Sequence, residues 1–237
     1  MIKLTLPDGS VREYENNIKA ADVVKGISEG LARSVVGASY NGKTIDLQYE
    51  IKEDGSIKFL KFDDKDGKDI FWHTSSHILA QAIKRIWPDV KLAIGPAVDN
   101  GFYYDIDLEH RIVQEDFDKI EAEMKKIVKE GYIIERFELP RTEAIKLMEE
   151  KKEPYKVELI QDLPEDAIIS FYKQGEFVDL CAGPHLESTK KPKAMKLLSI
   201  AGAYWRGNEK NKMLQRIYGI SLDRKSTRLN SSHLGIS

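Results

Sequence analysis

Cysteine is almost absent from this chain, which has one in 237 residues. A single thiol excludes an internal disulfide framework and fits a reducing compartment. Long apolar runs are also missing, since no stretch approaches the ~20 residues of a membrane-spanning helix. The first residues, Met1–Leu6, alternate between apolar and polar as a strand does and do not resemble a signal peptide. We therefore expect a cytoplasmic protein without membrane contact.

A large excess of charge of one sign is absent too. Charged residues make up 32% of the chain but the net charge is −2, which argues against nucleic-acid binding through bulk positive charge alone. A local basic face remains open, either as a phosphate-binding surface or as an ordinary solvated face. The basic residues concentrate at Lys190, Lys191, Lys193, Arg206, Lys210, Lys212 and Arg216.

The apolar content of 41% is enough for one large core or two modest ones. The first sixty residues predict an α+β sheet covered by one helix. The predicted elements are strands over 2–6 and 11–15, a helix over 20–31, a strand over 35–40, a hairpin turn at Asn41–Gly42 and a strand over 57–62. A charged linker over 61–69 suggests a domain boundary near residue 64, so we predict domains over 1–63 and 64–222.

The second part predicts a larger mixed α+β domain with a central antiparallel sheet. Its predicted elements are a helix over 71–87, a strand over 101–107, a helix over 114–130, a strand over 132–139, a helix capped by Thr142 and running to about 151, strands over 167–173 and 176–181, and a hairpin of 197–204 with 213–218. Residues 223–237 read like a translated sequencing adapter, so we expect no packed structure there.

Four histidine and cysteine residues form two short pairs. His73 and His77 are four residues apart on a predicted helix and therefore share a face. Cys181 shares a strand face with Asp179, and the turn that follows presents His185. Structural histidines and a buried packing thiol are the plain alternatives, and His110 lies in a segment that reads as surface. Together these residues suggest that the two pairs meet in one reactive site.

The four residues allow two kinds of site. They are ligands of the types that zinc prefers, although the two pairs lie over a hundred positions apart. Alternatively, a metal-free site could hold and activate a water molecule by general base catalysis, with Asp179 beside it. Lys156 could then stabilise an oxyanion or anchor a phosphate or a ribose hydroxyl. The residue pattern alone leaves both open.

Two resemblances bear on this choice. The first part resembles a TGS domain, a β-grasp (ubiquitin-like) module, through Leu6–Ser10, Ala20–Val24, Val36–Lys43 and Asp46–Leu47. The second part resembles the editing domain of bacterial-type threonyl-tRNA synthetases. The motifs that carry this resemblance are His73–His77, Ala93–Pro96, Gly101–Asp105, Pro154–Lys156, Asp179–His185 and Gly202–Gly207.

The resemblance implies hydrolysis of serine wrongly attached to threonine tRNA. A pocket that admits threonine cannot strongly exclude serine, since one missing methylene-sized group is worth only ~1–3 kcal/mol. A second site can accept serine and exclude threonine by a clash at the extra methyl group. The resemblance places His73, His77, Cys181 and His185 around the pocket, Asp179 and Tyr104 at the seryl group, and Lys156 at the terminal adenosine.

The resemblance also implies what to expect of cofactors and partners. Related alanyl-type domains bind zinc with a similar quartet, whereas the threonyl type is held to use an activated water, so we expect no metal here. The zinc, ATP and Mg of the family belong to a catalytic core whose motifs are not in this sequence, and we expect no tRNA charging. The expected partner is the acceptor end of tRNA(Thr) carrying serine. The family is homodimeric largely through that core, so we expect a monomer.

Overall fold

The computed structural model describes residues 1–223. The expectation for the adapter-like segment, residues 223–237, therefore lies outside the described residues from 224 onward. Over residues 1–223, none of the helices combines the length and the apolar character of a membrane-spanning segment.

The N-terminal part forms the predicted β-grasp sheet covered by a helix. Its elements are β1 (Ile2–Thr5), β2 (Val11–Tyr14), β3 (Ile18–Lys19), α1 (Ala20–Ile27), α2 (Glu29–Ser34), β4 (Val35–Tyr40), β5 (Lys43–Ile45), β6 (Glu50–Ile51) and β7 (Gly55–Lys61). The main sheet has the order β2-β1-β7-β4-β5, with β1 parallel to β7. Leu4, Val23 and Ala38 are fully buried in the core between the sheet and α1.

Two expectations for this part are wrong. The predicted helix over 20–31 is interrupted at Ser28, whose extended backbone ends α1 and whose hydroxyl accepts a hydrogen bond from the Leu31 N–H at the start of α2. Capping by serine outweighs the apolar spacing that had suggested one helix. The charged linker over 61–69 is also wrong, because the next helix begins at Lys65. The division near residue 64 stays a prediction.

The larger part contains the predicted central antiparallel sheet. Its helices and strands are α3 (Lys65–Ile86), β8 (Lys91–Leu92), β9 (Ala97–Val98), β10 (Gly101–Asp107), α4 (Phe117–Glu130), β11 (Ile134–Glu138), α5 (Arg141–Glu150), α6 (Pro154–Asp162), β12 (Ser170–Gln174), β13 (Phe177–Leu180), β14 (Ala194–Tyr204) and β15 (Met213–Leu222). The central sheet has the order β14-β15-β10-β8, and β9 also pairs with β10. A second sheet has the order β11-β12-β13.

Helix α3 is the element on which the larger part is built. It packs against α4, β10 and β15. Nearly every residue from Ile70 to Ile83 is buried, whereas the spacing predicted a single apolar stripe that included Ile86, which is only half-buried. Polar bonds fix the helix to β15: the Trp72 Nε1–H donates to the Ser221 carbonyl at 3.0 Å and the Ser75 and Ser221 hydroxyls are 2.6 Å apart. Polar side chains on α3 are therefore held in the interior.

Two details around residues 140–162 differ from expectation. Helix α5 begins at Arg141 after Pro140 and has no side-chain cap, so the predicted capping by Thr142 is wrong. Helix α6 was not predicted at all. Proline at its first position supplies a helix-compatible φ without a wasted N–H. This helix matters because it carries Lys156.

Candidate functional site

Helix α3 presents His73 and His77 one turn apart on its inner face. Their ring centroids are 5.2 Å apart. His77 is buried, whereas His73 is half-buried at the edge of a cavity of about 500 Å³. The same cavity is lined by Gly183 and Pro184. His73 is thus the member of the pair that meets the open space.

The end of β13 and the turn after it supply the opposite wall. Cys181 and His185 meet the two histidines of α3, so that one ligand atom from each of the four residues lies within 4.8 Å of the others. The His185 ring is 4.1 Å from the ring of His73 and 4.3 Å from that of His77. The two short pairs of the sequence, separated by over a hundred positions, are brought together.

Hydrogen bonds link this cluster into a chain. The Leu186 N–H donates to the Thr74 hydroxyl oxygen at 2.9 Å, and that hydroxyl lies 3.0 Å from Nδ1 of His185. The Thr74 hydroxyl can donate to Nδ1 or accept from it, so both tautomers of His185 fit this contact, and Nε2 of His185 lies 3.2 Å from Cys181 Sγ. His73 Nε2 lies 3.1 Å from the same sulfur. Cys181 therefore bridges His185 and His73.

Lys156, Asp179 and Tyr104 form a second, adjoining cluster. The Lys156 ammonium lies 2.7 Å from Asp179 Oδ1, and the Tyr104 hydroxyl donates to Asp179 Oδ2 at 2.6 Å. Lys156 Nζ also lies 3.1 Å from the Tyr104 oxygen. All three side chains are buried, and His77 Nε2 lies 3.4 Å from Asp179 Oδ2. Through His77 the two clusters make one site.

Burial sets the protonation of the imidazoles and the thiol. It lowers the pKa of His73 to about 4 and that of His77 to about 3, against partial compensation by the nearby Asp179 charge. Burial also lowers the pKa of His185 well below its usual value and raises the pKa of Cys181 to about 12. At neutral pH the site therefore holds neutral imidazoles, which can accept protons, and a thiol rather than a thiolate.

The buried Asp179 carboxylate is stabilised by the groups that surround it. Burial would raise the pKa of Asp179, but the Lys156 charge, His77 and the hydrogen bonds from Lys156 and Tyr104 together hold it below its usual value. Burial, followed by the Asp179 charge, raises the pKa of Tyr104 well above its usual value, so its hydroxyl keeps its proton. The second cluster is a preorganised arrangement of one carboxylate with two donors.

The lowered histidine pKa values predict a stability loss in mild acid. Between pH 6.5, the ordinary histidine value, and about 4, the unfolded chain binds protons that folded His73 does not, so stability falls as pH falls through this window. We expect roughly 2 kcal/mol of unfolding free energy to be lost between pH 7 and 5 for each buried histidine. Urea unfolding at both pH values measures it. Equal unfolding free energies at pH 7 and pH 5 would contradict the lowered histidine pKa values. In His77→Gln, the unfolding free energy should depend less steeply on pH.

Sequence reasoning named the two clusters but missed residues that hold them. Thr74 stands beside His73 in the motif and received no role, although its hydroxyl orients His185. Gly95 lies in the Ala93–Pro96 motif and received no role either, yet a Cβ there would lie 2.1 Å from the Tyr104 ring. Two sequence signals could have identified them: Thr74 directly follows His73, and Gly95 directly precedes a proline. Lys156 alone would have been read as a solvated charge, but only 3% of it is exposed.

Comparisons with known proteins define the class. Residues 2–61 match the model of the TGS domain, and residues 169–218 match that of the "Threonyl and Alanyl tRNA synthetase second additional domain". The chain therefore contains a TGS domain and an additional domain of the kind described for threonyl- and alanyl-tRNA synthetases.

The relatives narrow the class further. The chain is 64% identical over 99% of its length to a Threonine--tRNA ligase of Clostridioides difficile and 64% identical over 95% of its length to those of Acetivibrio thermocellus and Clostridium acetobutylicum. It spans 36–37% of the length of these relatives. Over nearly its whole length, the chain is thus similar to about a third of each of these threonine--tRNA ligases.

Proposed function

We propose that this chain hydrolyses the ester of seryl-tRNA(Thr) and spares threonyl-tRNA(Thr). The observation that carries the proposal is that His73, which opens on a cavity, adjoins His77, and His77 in turn contacts the buried Lys156–Asp179–Tyr104 cluster. Ester hydrolysis requires a general base, which a neutral imidazole can supply, and charged or hydrogen-bonding groups that stabilise the transition state. The similarity to threonine--tRNA ligases and the match to the editing-domain model support the same substrate class.

Hydrolysis would proceed through water activated at His73. The water oxygen attacks the seryl carbonyl carbon, and His73 accepts the proton that the water gives up. The bond between that carbon and the ribose oxygen then breaks, and the proton returns to the leaving ribose oxygen, which yields serine and tRNA(Thr). Lys156 would contact the terminal adenosine and the charge that develops on the ester, while Asp179 and Tyr104 would bind the seryl group.

Discrimination against threonine would come from the rigidity of the buried wall. Asp179 is held at hydrogen-bond distance by Lys156 and Tyr104 and lies against His77, so it cannot retreat at low cost. An added methyl group in a well-packed site typically costs ~1–3 kcal/mol. This penalty falls on threonine and not on serine.

The test is to incubate the purified chain with seryl-tRNA(Thr) and, as the matched control, with threonyl-tRNA(Thr). We expect the seryl ester to disappear much faster than its spontaneous rate and the threonyl ester to persist. Equal loss of both esters, or loss of neither, would contradict the proposal.

The metal-free form of the site is part of the proposal. Three imidazoles and a thiol are suited to zinc by ligand type, and their ligand atoms are close enough to share one ion. We expect protein purified without chelator to contain no stoichiometric zinc, as the resemblance to threonyl-type editing domains implies. Elemental analysis checks this expectation. Zinc near one equivalent that is lost in Cys181→Ser would overturn it.

Non-catalytic tRNA binding is the second candidate, suggested by the basic residues between 190 and 216. Several of these charges are already used inside the protein. Arg206 pairs with Asp162, Lys212 with Asp107 and Arg216 with Asp105, and Lys191 donates to the Val35 carbonyl. This pairing leaves less free positive charge than the sequence suggested, which favours the catalytic proposal. We expect the chain to act as a monomer on the acceptor end of tRNA(Thr).

A further inference from the structure

Tyr172 joins the N-terminal domain to the wall of the site. It lies on β12 directly opposite Asp179 of β13, and only 4% of it is exposed. Its ring centroid is 4.4 Å from that of His185. It also packs against the turn that presents His185, since a Cβ at Gly183 would lie 2.0 Å from the Tyr172 oxygen. Tyr172 therefore supports both the imidazole and the turn that carries it.

The far end of Tyr172 is held by the β-grasp domain. Its hydroxyl donates to Oδ2 of Asp46 at 2.6 Å, across 126 positions of sequence. Burial raises the pKa of Tyr172, so the hydroxyl remains a donor. A charge-assisted bond of this length, between largely buried groups, is among the stronger hydrogen bonds in proteins.

Asp46 is itself fixed in place. It follows β5 directly, and its carbonyl accepts the Tyr49 N–H at 3.2 Å. The next carbonyl, that of Leu47, accepts the Ala21 N–H at 2.8 Å and so connects the loop to α1. The carboxylate is thus a rigid feature of the small domain and not a mobile surface charge.

We infer that Asp46 of the N-terminal domain is a positioning residue for the hydrolytic site, acting through Tyr172 on His185 and on the Gly183–Pro184 turn. This inference rests on the proposed function for its activity readout. It assigns the β-grasp domain a role in the chemistry of its neighbour: the small domain sets the position of one wall of the site. Misplacement of a catalytic wall by about 1 Å can cost ~100-fold in rate.

The experiment compares three variants of the full chain. Asp46→Ala removes the acceptor, Asp46→Asn keeps an oxygen that accepts from Tyr172, and Gln48→Ala breaks a different bond between the two domains, that of Gln48 with Glu187. We expect Asp46→Ala to slow single-turnover hydrolysis of seryl-tRNA(Thr) by about 10- to 100-fold. Asp46→Asn should restore most of the rate, and Gln48→Ala should leave it unchanged.

A second readout does not depend on activity. In protein labelled with ¹⁵N-histidine, Asp46→Ala should shift the ring signals of His185, whereas Gln48→Ala should not. If Asp46→Ala fails to fold, Tyr172→Phe removes the same bond from the other side and should give the same shifts. Unchanged His185 signals, or equal slowing by Asp46→Ala and Gln48→Ala, would overturn the inference. An inactive wild-type chain would refute the proposed function, while the His185 signals would still decide the positioning role.

Discussion

Replacing Lys156 with methionine is expected to abolish hydrolysis of seryl-tRNA(Thr) and to lower the unfolding free energy by about 3–5 kcal/mol. The ammonium lies 2.7 Å from Asp179, and both side chains are buried. Without it, the Asp179 carboxylate is left in the interior without its counter-charge, which is far costlier than losing an exposed ion pair. Urea unfolding and single-turnover hydrolysis measure the two effects.

Two controls separate stability from chemistry in this experiment. The double variant Lys156→Met with Asp179→Asn removes both charges, so it should recover much of the stability but none of the activity. Lys146→Met removes an exposed lysine that faces Glu150 on α5 and should change neither quantity. If the Lys156→Met protein were as stable as the wild type, the buried ion pair of Lys156 with Asp179 would not stabilise the fold, contrary to this prediction.

Replacing His73 with alanine is expected to reduce hydrolysis by about 100- to 10,000-fold, the usual contribution of a general base. His73 is the half-buried histidine at the cavity, and its lowered pKa, about 4, keeps it neutral and able to accept a proton. Folding should be little affected, because the Lys156–Asp179–Tyr104 cluster remains intact. Single-turnover hydrolysis and thermal unfolding are the measurements.

The matched control for this variant is His110→Ala. His110 lies outside the site, pairs with Asp116 and stacks on Trp87, so its loss should leave hydrolysis unchanged. Binding of tRNA should also be unchanged in His73→Ala if the histidine acts in chemistry alone. Full hydrolytic activity in His73→Ala together with tight tRNA binding would favour the non-catalytic RNA-binding function.

Local patterns predicted the parts of the site but not its connections. The i, i+4 spacing of His73 and His77 and the strand alternation of Asp179 and Cys181 each define a shared face, and the structure has these faces together. The bond from Asp46 to Tyr172 could not be predicted, because nothing local relates two residues 126 positions apart. A contact of this kind depends on how the two domains pack against each other, and the periodicity of a sequence carries information only about local structure.

The fold shows the same division between local and long-range signals. The β-grasp sheet and the central antiparallel sheet were predicted and are confirmed. Among the errors, α3 begins at Lys65 inside the expected linker, and α6, which begins at Pro154, was not predicted at all. At the start of α3, packing of the helix against the rest of the protein outweighs a charged local composition.

The most direct test of the site is to titrate the ¹⁵N-histidine-labelled chain with a non-hydrolysable amide analogue of seryl-adenosine and, separately, with its threonyl counterpart. We expect the seryl analogue to shift the ring signals of His73, His77 and His185 and to leave those of His110 in place, whereas the threonyl analogue should shift the same three only at much higher concentration. Shifts confined to His110, no shifts at all, or equal response to both analogues would contradict this expectation.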